Sequence, residues 1–285
     1  MHSSFDSVDP GSSFFDLLRR SRSDLLPQMQ ITLEGLSPAE TRELRESPHG
    51  TTILALKYRD GALIAGDRQA TEGFQISSRR IEKVFKADDH SAIAIAGVAG
   101  PCIEMAKLFE VELTHYEKLE GVTLSLEGKA NKLSQMVKAN LPLAMQGLVV
   151  IPVFVGYDLR SGEGKIFKYD VTGGRYEETD YYATGSGGKD ARSTMKKLYR
   201  AGLTEEEAIA VGLEALIDAA EEDVGTGGPD FVRGVFPTVK LAVMAGLQDV
   251  PEARIRGACQ VIIDRRRLVE RGAKGEGETQ AGGAG

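Results

Sequence analysis

Tryptophan is absent from this chain of 285 residues, and cysteine occurs only twice. Cys102 and Cys259 lie far apart and form no Cys-x-x-Cys pair, so the sequence predicts neither a zinc site nor a disulfide framework. The histidines are scattered, without an HExxH motif or another metal-ligand spacing. We therefore predict no metal and no cofactor, and we expect both cysteines to be small buried residues in a reducing compartment.

Long apolar runs and a basic charge are missing as well. The sequence contains no stretch of about 18 apolar residues, so no membrane span is expected. The formal net charge of -7 argues against a general nucleic-acid binder, because such proteins usually carry a basic face. Residues 1–11 are acidic and polar and do not resemble a secretory signal, so we expect a cytoplasmic protein.

The texture of the sequence changes abruptly at Thr51. Residues 1–50 are polar and contain many Ser and Pro residues, whereas regular apolar runs begin at Thr51. This change predicts a removable prosegment over 1–50 and a folded domain over 51–268; a disordered N-terminal extension is the alternative. Residues 269–285 are rich in Gly, Ala and Glu and are predicted to form a flexible tail.

The predicted strands and helices occur in blocks rather than in strict alternation. Residues 51–58 and 62–67 read as a hairpin, which would bring Thr51 close to Asp67. The block order favours antiparallel sheets packed on each other between helical layers over a doubly wound parallel fold. The other strands are predicted at 81–85, 91–100, 149–157, 164–170, in a segment ending at 181, and at 238–244; a polar loop is predicted at 69–80; and helices are predicted at 101–119, 124–146, up to about 200, at 205–220 with Thr204 as N-cap, and at 251–267.

Thr51 carries the first chemical hypothesis. A cut between Gly50 and Thr51 would expose a threonine that has both a hydroxyl nucleophile and a free α-amine. That amine would be a usable base at neutral pH, because an α-amino group titrates at about 7.7–8.0 and a lysine at about 10.4. Gly50 supports this reading, since a residue without a Cβ allows the tight turn that attack on its carbonyl requires. The alternative is that Thr51 and Thr52 merely open a strand.

Asp67 and Lys83 could both approach the start of the first strand. A cationic lysine beside the nucleophile would lower the pKa of a nearby amine, and the carboxylate would keep that lysine charged and oriented. Each residue alone also fits an ordinary solvated strand end.

Several glycines could supply backbone N–H groups for an oxyanion site, or could simply form turns. They are Gly97 and the glycines of Thr184-Gly185-Ser186-Gly187-Gly188. The second segment also resembles a phosphate-binding loop, but it lacks the Lys-Ser/Thr ending of that motif. Nucleotide binding is therefore the weaker interpretation.

Six short segments follow one another in a specific order. They are Thr51-Thr52-Ile53, Gly66-Asp67-Arg68, Lys83, Ala94-Ile95-Ala96-Gly97, Ala183-Thr184-Gly185-Ser186-Gly187 and Asp223-x-x-Thr226-Gly227-Gly228. In this order they resemble the proteasome β-type subunits of the N-terminal nucleophile hydrolases. With the long prosegment, the chain looks most like an actinobacterial 20S proteasome β subunit.

The resemblance implies a role for each matching residue. Thr51 would be the nucleophile and its own amine the base, after autocatalytic cleavage of the Gly50–Thr51 bond. Asp67 and Lys83 would form the activating pair, and the Gly97 N–H would be the oxyanion donor. Support of the amine and of a nucleophilic water would come from Ser186, Asp223 and Thr226, the last of which is commonly serine in the family.

The resemblance also implies a pocket for the substrate residue before the cut. Its lining would comprise Ala70, Thr71, Ile81, Ile95, Ala99 and Ile103. These residues are small or aliphatic and carry no charge, so we predict a preference for hydrophobic side chains at that position.

Fold and partners also follow from the resemblance alone. The expected fold is α+β, a four-layer αββα sandwich of two antiparallel sheets between helical layers. The expected particle contains two heptameric β rings between two rings of proteasome α subunits. A separate ATPase ring would act through the α ring, and the substrates would be unfolded proteins.

Two other functions were weighed. The peptidase of the two-component hexameric bacterial ATP-dependent protease also begins with Thr-Thr, but the long prosegment and the chain beyond Gly227 argue against it. A non-catalytic ring scaffold would be expected to lack Thr51, Lys83 or the Gly-Thr junction, all of which are present.

Overall fold

The computed structural model describes residues 50–72 and 75–281. Residues 1–49, which contain almost all of the predicted prosegment, lie outside the described residues, as do 73–74 and 282–285. The elements of the described part are β1 (Thr52–Tyr58), β2 (Gly61–Gly66), β3 (Ala70–Glu72), β4 (Gln75–Ser78), β5 (Val84–Asp88), β6 (Ser91–Gly97), α1 (Ala99–Glu120), α2 (Leu126–Ala139), α3 (Leu141–Ala144), β7 (Val150–Asp158), β8 (Glu163–Tyr169), β9 (Arg175–Glu178), β10 (Tyr181–Gly185), α4 (Gly188–Leu198), α5 (Glu205–Glu222), β11 (Thr238–Val243), β12 (Gly246–Asp249) and α6 (Glu252–Ala281).

Two five-stranded antiparallel sheets form the centre of the domain. Sheet I has the strand order β10-β1-β2-β11-β12, and sheet II has the order β5-β6-β7-β8-β9. The predicted β1–β2 hairpin is confirmed. It pairs Ile53 with Gly66, which sets Thr52 opposite Asp67 and places Thr51 one residue further along.

The two sheets pack face to face, which explains the continuous apolar sequence of β1. Successive side chains of a strand point to opposite faces. Ile53 and Ala55 pack between the sheets with side chains of sheet II, while Leu54 and Leu56 pack against the helices on the outer face. Both faces of β1 are therefore buried.

Helices cover the outer face of each sheet. Helices α4, α5 and α6 pack on sheet I, and α1 and α2 pack on sheet II. In the core between sheet II and its helices, the ring of Phe109 (α1) packs edge to face on the ring of Phe154 (β7), with centroids 5.6 Å apart. The predicted four-layer αββα sandwich is thus confirmed.

Helix α5 begins where the sequence predicts it. Thr204 Oγ1 accepts a hydrogen bond from Glu207 N (3.3 Å), and Glu207 Oε2 accepts one from Thr204 N (2.9 Å), a complete capping box. The helix ends at Glu222 and so presents Asp223 at its C-terminal end.

Several predicted boundaries were wrong. The strand predicted at 81–85 begins at Val84, and the predicted loop at 69–80 contains the hairpin β3–β4. The segment predicted as one strand ending at 181 is divided, because β9 pairs with β8 in sheet II and β10 pairs with β1 in sheet I. A strand that changes sheets must bend, and periodicity along the chain does not reveal which neighbour it will pair with.

The helical predictions also needed correction. The helix predicted at 124–146 is interrupted at Asn140, and Pro142, which lacks an N–H, stands at the start of the short helix α3. Helix α6 continues to Ala281, past the predicted end at Arg267 and into the segment assigned to a tail. No helix in the part of the chain that the structure describes is long and apolar enough to span a membrane.

Candidate active site

Thr51 lies directly before β1, buried and still joined to Gly50. Its Oγ1 donates a hydrogen bond to the Gly50 carbonyl oxygen at 2.8 Å. Its backbone N donates to Ser186 Oγ at 3.2 Å, and its carbonyl oxygen accepts from Ser186 N at 2.9 Å. The hydroxyl is therefore held against the carbonyl group that precedes it, in the geometry of the uncleaved chain.

Lys83 and Asp67 form a buried ion pair next to that carbonyl. Lys83 Nζ donates to Asp67 Oδ1 at 2.6 Å and also to the Gly50 oxygen at 3.3 Å. The side chains are 5% and 0% exposed, so water screens the pair little. One ammonium group thus contacts both the carboxylate and the carbonyl that the Thr51 hydroxyl contacts.

The backbone fixes the Asp67 carboxylate in place. Oδ1 accepts the N–H of Thr52 at 2.8 Å, and Oδ2 accepts the N–H groups of Gln69 and Gly227, each at 2.9 Å. Hydrogen bonds from N–H groups favour the ionised form of a carboxylate. The carboxylate that pairs with Lys83 is therefore held in place by three backbone N–H groups.

Burial lowers the pKa of Lys83, and the attraction of Asp67 opposes that shift. Cys102 lies near this lysine in the pocket described below. Burial raises the pKa of the Cys102 thiol to about 12, with Lys83 acting weakly in the opposite direction. The thiol is therefore neutral at physiological pH and does not compete with Thr51 as a nucleophile.

A second cluster supports the nitrogen of Thr51. Ser186 Oγ, which contacts that nitrogen, donates to Asp223 Oδ2 at 2.5 Å, and Thr226 Oγ1 donates to the same oxygen at 2.5 Å. Ser186 follows β10, and Asp223 follows α5. Strand pairing of β10 with β1 therefore brings Ser186 to Thr51, and the end of the helix supplies the carboxylate.

Thr52 belongs to this cluster, although the sequence analysis treated it as a strand residue. Its Oγ1 lies 2.6 Å from Thr226 Oγ1 and accepts the Gly187 N–H at 3.0 Å. A buried hydroxyl is normally hydrogen-bonded. The second threonine of the Thr51-Thr52 pair was therefore the one sign in the sequence that a polar cluster lies at the start of β1. The Gly187 N–H is already bonded to Thr52 Oγ1 and is not available to an oxyanion. The prediction that the glycines of 184–188 supply oxyanion donors is therefore wrong for Gly187.

Gly97 ends β6 and lines the same pocket as Thr51. It has a φ of 135°, and a Cβ there would lie 2.0 Å from the Val149 carbonyl oxygen. Only glycine fits this position without a shift of the neighbouring backbone.

A pocket opens beside Thr51, and it contains all six residues predicted to line it. Three further residues were missed: Glu82, Phe85 and Cys102. Glu82 Oε2 lies 4.0 Å from Arg68 Nη2, and its side chain is 42% exposed. The lining is thus mostly apolar but, with Lys83 and Glu82, not free of charge. The full set is Gly50, Thr51, Ala70, Thr71, Ile81, Glu82, Lys83, Phe85, Ile95, Gly97, Ala99, Cys102 and Ile103.

The chain is similar to known proteins over most of its length. The family model described as "Proteasome subunit" matches residues 47–232. A protein named proteasome subunit beta from Acidimicrobium ferrooxidans is 50% identical over 267 residues, covering 93% of each chain. Proteins of the same name from Streptomyces griseus and Jonesia denitrificans are 50% and 47% identical, covering 91% and 94% of this chain and 90% and 89% of their own. The chain therefore belongs to the proteasome subunit family.

Proposed function

We propose that this chain is the catalytic β subunit of a 20S proteasome core. It would be a threonine-type endopeptidase that hydrolyses unfolded proteins after cleaving its own Gly50–Thr51 bond. The observation that carries the proposal is the convergence on the Gly50 carbonyl oxygen of Thr51 Oγ1 at 2.8 Å and Lys83 Nζ at 3.3 Å.

Self-cleavage uses this convergence. Thr51 Oγ1 attacks the Gly50 carbonyl carbon, and the Lys83 ammonium stabilises the negative charge that develops on the oxygen. The hydroxyl proton is transferred to the Thr51 nitrogen, which is the leaving group. The C–N bond then breaks, and an ester joins Gly50 to the Thr51 side chain. Water hydrolyses the ester, which releases the Gly50 carboxylate and leaves Thr51 with a free amine and a free hydroxyl.

Substrate hydrolysis repeats the chemistry with the free amine as base. The amine accepts the hydroxyl proton as Oγ1 attacks the substrate carbonyl, and the proton then passes to the leaving amine. Water cleaves the resulting ester. The pair of Lys83 and Asp67 keeps a positive charge near the amine, which favours its neutral, basic form. Ser186, Asp223 and Thr226 hold the amine, and the Gly97 N–H faces the oxyanion.

The pocket supports a preference for hydrophobic residues before the cut. An apolar wall does not stabilise a charge that it cannot pair. Glu82 adds a negative charge at the wall, which disfavours acidic residues further. Its carboxylate already lies 4.0 Å from the Arg68 guanidinium, so it is less able to pair a substrate arginine. In fluorogenic peptide assays we expect faster cleavage after Leu, Phe or Tyr than after Arg or Asp; the reverse order would contradict this assignment.

Family membership supports the proposed assembly. Two heptameric β rings would be enclosed by rings of proteasome α subunits in the cytoplasm, with an ATPase ring acting through the α ring. The scaffold alternative is disfavoured because Thr51, Asp67 and Lys83 are all in place within hydrogen-bonding distance of each other or of Gly50. Sevenfold symmetry in negative-stain images would support the proteasome, and sixfold symmetry the two-component protease.

The decisive experiment is mass analysis of the N-terminus after co-expression of the full chain with the α subunit of the same organism. We expect a chain that begins at Thr51 and hydrolyses peptides. Thr51→Ala should retain residues 1–50 and lose hydrolysis. Thr179→Ala is the matched control, because Thr179 is exposed and makes only a 3.4 Å contact with its neighbour Asp180. A parent chain that still begins at Met1 in assembled, inactive particles would refute the proposal.

A further inference from the structure

Gly50 is held from several sides in the uncleaved chain. Its N–H donates to Thr71 Oγ1 at 2.9 Å, and its carbonyl oxygen accepts from Thr51 Oγ1 and Lys83 Nζ. It is buried, although it stands at the junction that has to be cut. These hydrogen bonds orient the peptide group but do not by themselves prevent Gly50 from moving away from the hydroxyl.

The backbone of Gly225 packs directly against Gly50. A Cβ on Gly50 would lie 2.2 Å from both the Cα and the carbonyl oxygen of Gly225. A Cβ on Gly225 would lie 2.5 Å from the Cα of Gly50. The two residues therefore pack backbone against backbone, and neither leaves space for a methyl group.

This restriction comes from contact and not from backbone conformation. In the part of the chain that the structure describes, every residue with a positive φ is a glycine. Gly50 and Gly225 do not have a positive φ. An alanine could adopt the backbone angles at either position. Position 225, in the turn after α5, therefore requires glycine because the Gly50 backbone lies so close to it, and only as long as Gly50 is present.

We propose that Gly225 is a positioning residue for self-cleavage, which acts by holding Gly50 against the Thr51 hydroxyl, and that this role ends when the prosegment leaves. The proposal rests on the proposed function, since it requires the Gly50–Thr51 bond to be cut by Thr51. It adds that one glycine serves the maturation reaction and not the hydrolysis of other chains.

The other contacts of Gly225 do not depend on the missing side chain. Its N–H donates to Asp223 Oδ1 at 3.1 Å, and an alanine keeps that N–H. Apart from Gly50, a Cβ at this position would meet Ser186 Oγ at 3.1 Å and Asp223 Oδ1 at 3.3 Å. Side-chain oxygens at these distances need to yield by only a few tenths of an ångström. Once Gly50 has gone, the 2.5 Å contact with its backbone has gone as well.

The test compares Gly225→Ala with Gly228→Ala in the full chain. Gly228 is the matched control, because it lies in the same loop and a Cβ there would only touch the Ala220 Cβ at 3.4 Å. The rate of appearance of the Thr51 N-terminus is followed by mass spectrometry, and peptide hydrolysis is measured per Thr51 N-terminus. Thermal unfolding of both variants reports whether they fold.

We expect Gly225→Ala to slow self-cleavage by about a hundredfold, the effect of misplacing reacting groups by roughly 1 Å, and to hydrolyse peptides at the parental rate per Thr51 N-terminus. Gly228→Ala should match the parent in both. If Gly225→Ala does not cleave itself at all, a form in which Met directly precedes Thr51, assembled with residues 1–50 supplied as a separate chain and freed of the Met by methionine aminopeptidase, exposes Thr51 without self-cleavage. Parental hydrolysis by that form supports the proposal.

Two results would overturn it. Self-cleavage of Gly225→Ala at the parental rate would show that the contact with Gly50 is not needed. A folded variant whose hydrolysis falls as far as its self-cleavage would show a role shared by both reactions. Failure of the proposed function looks different, because the parent chain itself would then neither cleave nor hydrolyse.

Discussion

Replacing Asp67 by Asn tests whether the buried ion pair behaves as the geometry requires. The substitution keeps the shape of the side chain but leaves the Lys83 ammonium buried without a counter-charge, and it replaces one acceptor oxygen with an NH₂ donor. Removing one partner of a buried pair typically destabilises a protein by about 3–5 kcal/mol. We expect a loss of that size in the free energy of unfolding, together with loss of self-cleavage.

The loss should depend on pH in a defined direction. Burial already lowers the pKa of Lys83 below its ordinary value of 10.5, and Asp67 limits the shift; without the carboxylate the pKa falls further. Between the lowered folded value and the unfolded value, the unfolded chain binds more protons, so stability rises with pH. The destabilisation by Asp67→Asn should therefore shrink as the pH is raised towards 10.5.

The chain offers a matched control at the surface. Lys86 and Asp89 form an ion pair with the same 2.6 Å separation, but their side chains are 51% and 84% exposed. Such pairs contribute less than about 1 kcal/mol, so Asp89→Asn should change stability little. Urea unfolding is measured in a Thr51→Ala background, in which the chain cannot cut itself during the experiment. Equal losses for Asp67→Asn and Asp89→Asn, or a loss independent of pH, would refute the reasoning.

Two further predictions concern the pocket. Gly97→Ala should push the backbone away from the Val149 carbonyl oxygen, which a Cβ would approach to 2.0 Å. We expect kcat to fall by about 10²–10³, the typical effect of losing one oxyanion donor. An unchanged kcat in a folded variant would contradict the role of Gly97. Burial raises the pKa of Cys102 to about 12, so iodoacetamide at pH 8 should leave hydrolysis intact. The Cys102→Ala variant should also hydrolyse peptides normally. Rapid inactivation by alkylation at Cys102 would contradict a neutral, buried thiol.

The residues of the site come from both sheets of the fold. Asp67 and Ser186 follow strands of sheet I, whereas Lys83 precedes a strand of sheet II and Gly97 ends one. Thr51 precedes β1 of sheet I and lines one pocket with Lys83 and Gly97. The catalytic geometry therefore depends on how the sheets pack, and a change in the core between them would be felt at the site.

The features that the sequence determined by itself are those set by neighbouring residues. The hairpin register sets Thr52 opposite Asp67 and so brings Thr51 near it, because a short turn allows only a few pairings. The capping box of Thr204 and Glu207 is likewise local. The order of the short motifs resembles that of the proteasome β-type subunits, and the comparisons confirm that family.

Other features were decided only by the tertiary structure. Lys83 reaches Asp67 across two sheets, Thr52 joins Thr226 over 174 positions of chain, and β9 and β10 separate into different sheets. The backbone contact between Gly50 and Gly225 is of the same kind. None of these contacts follows from periodicity, because a side chain's alternation reports which face it occupies and not which distant segment will cover that face.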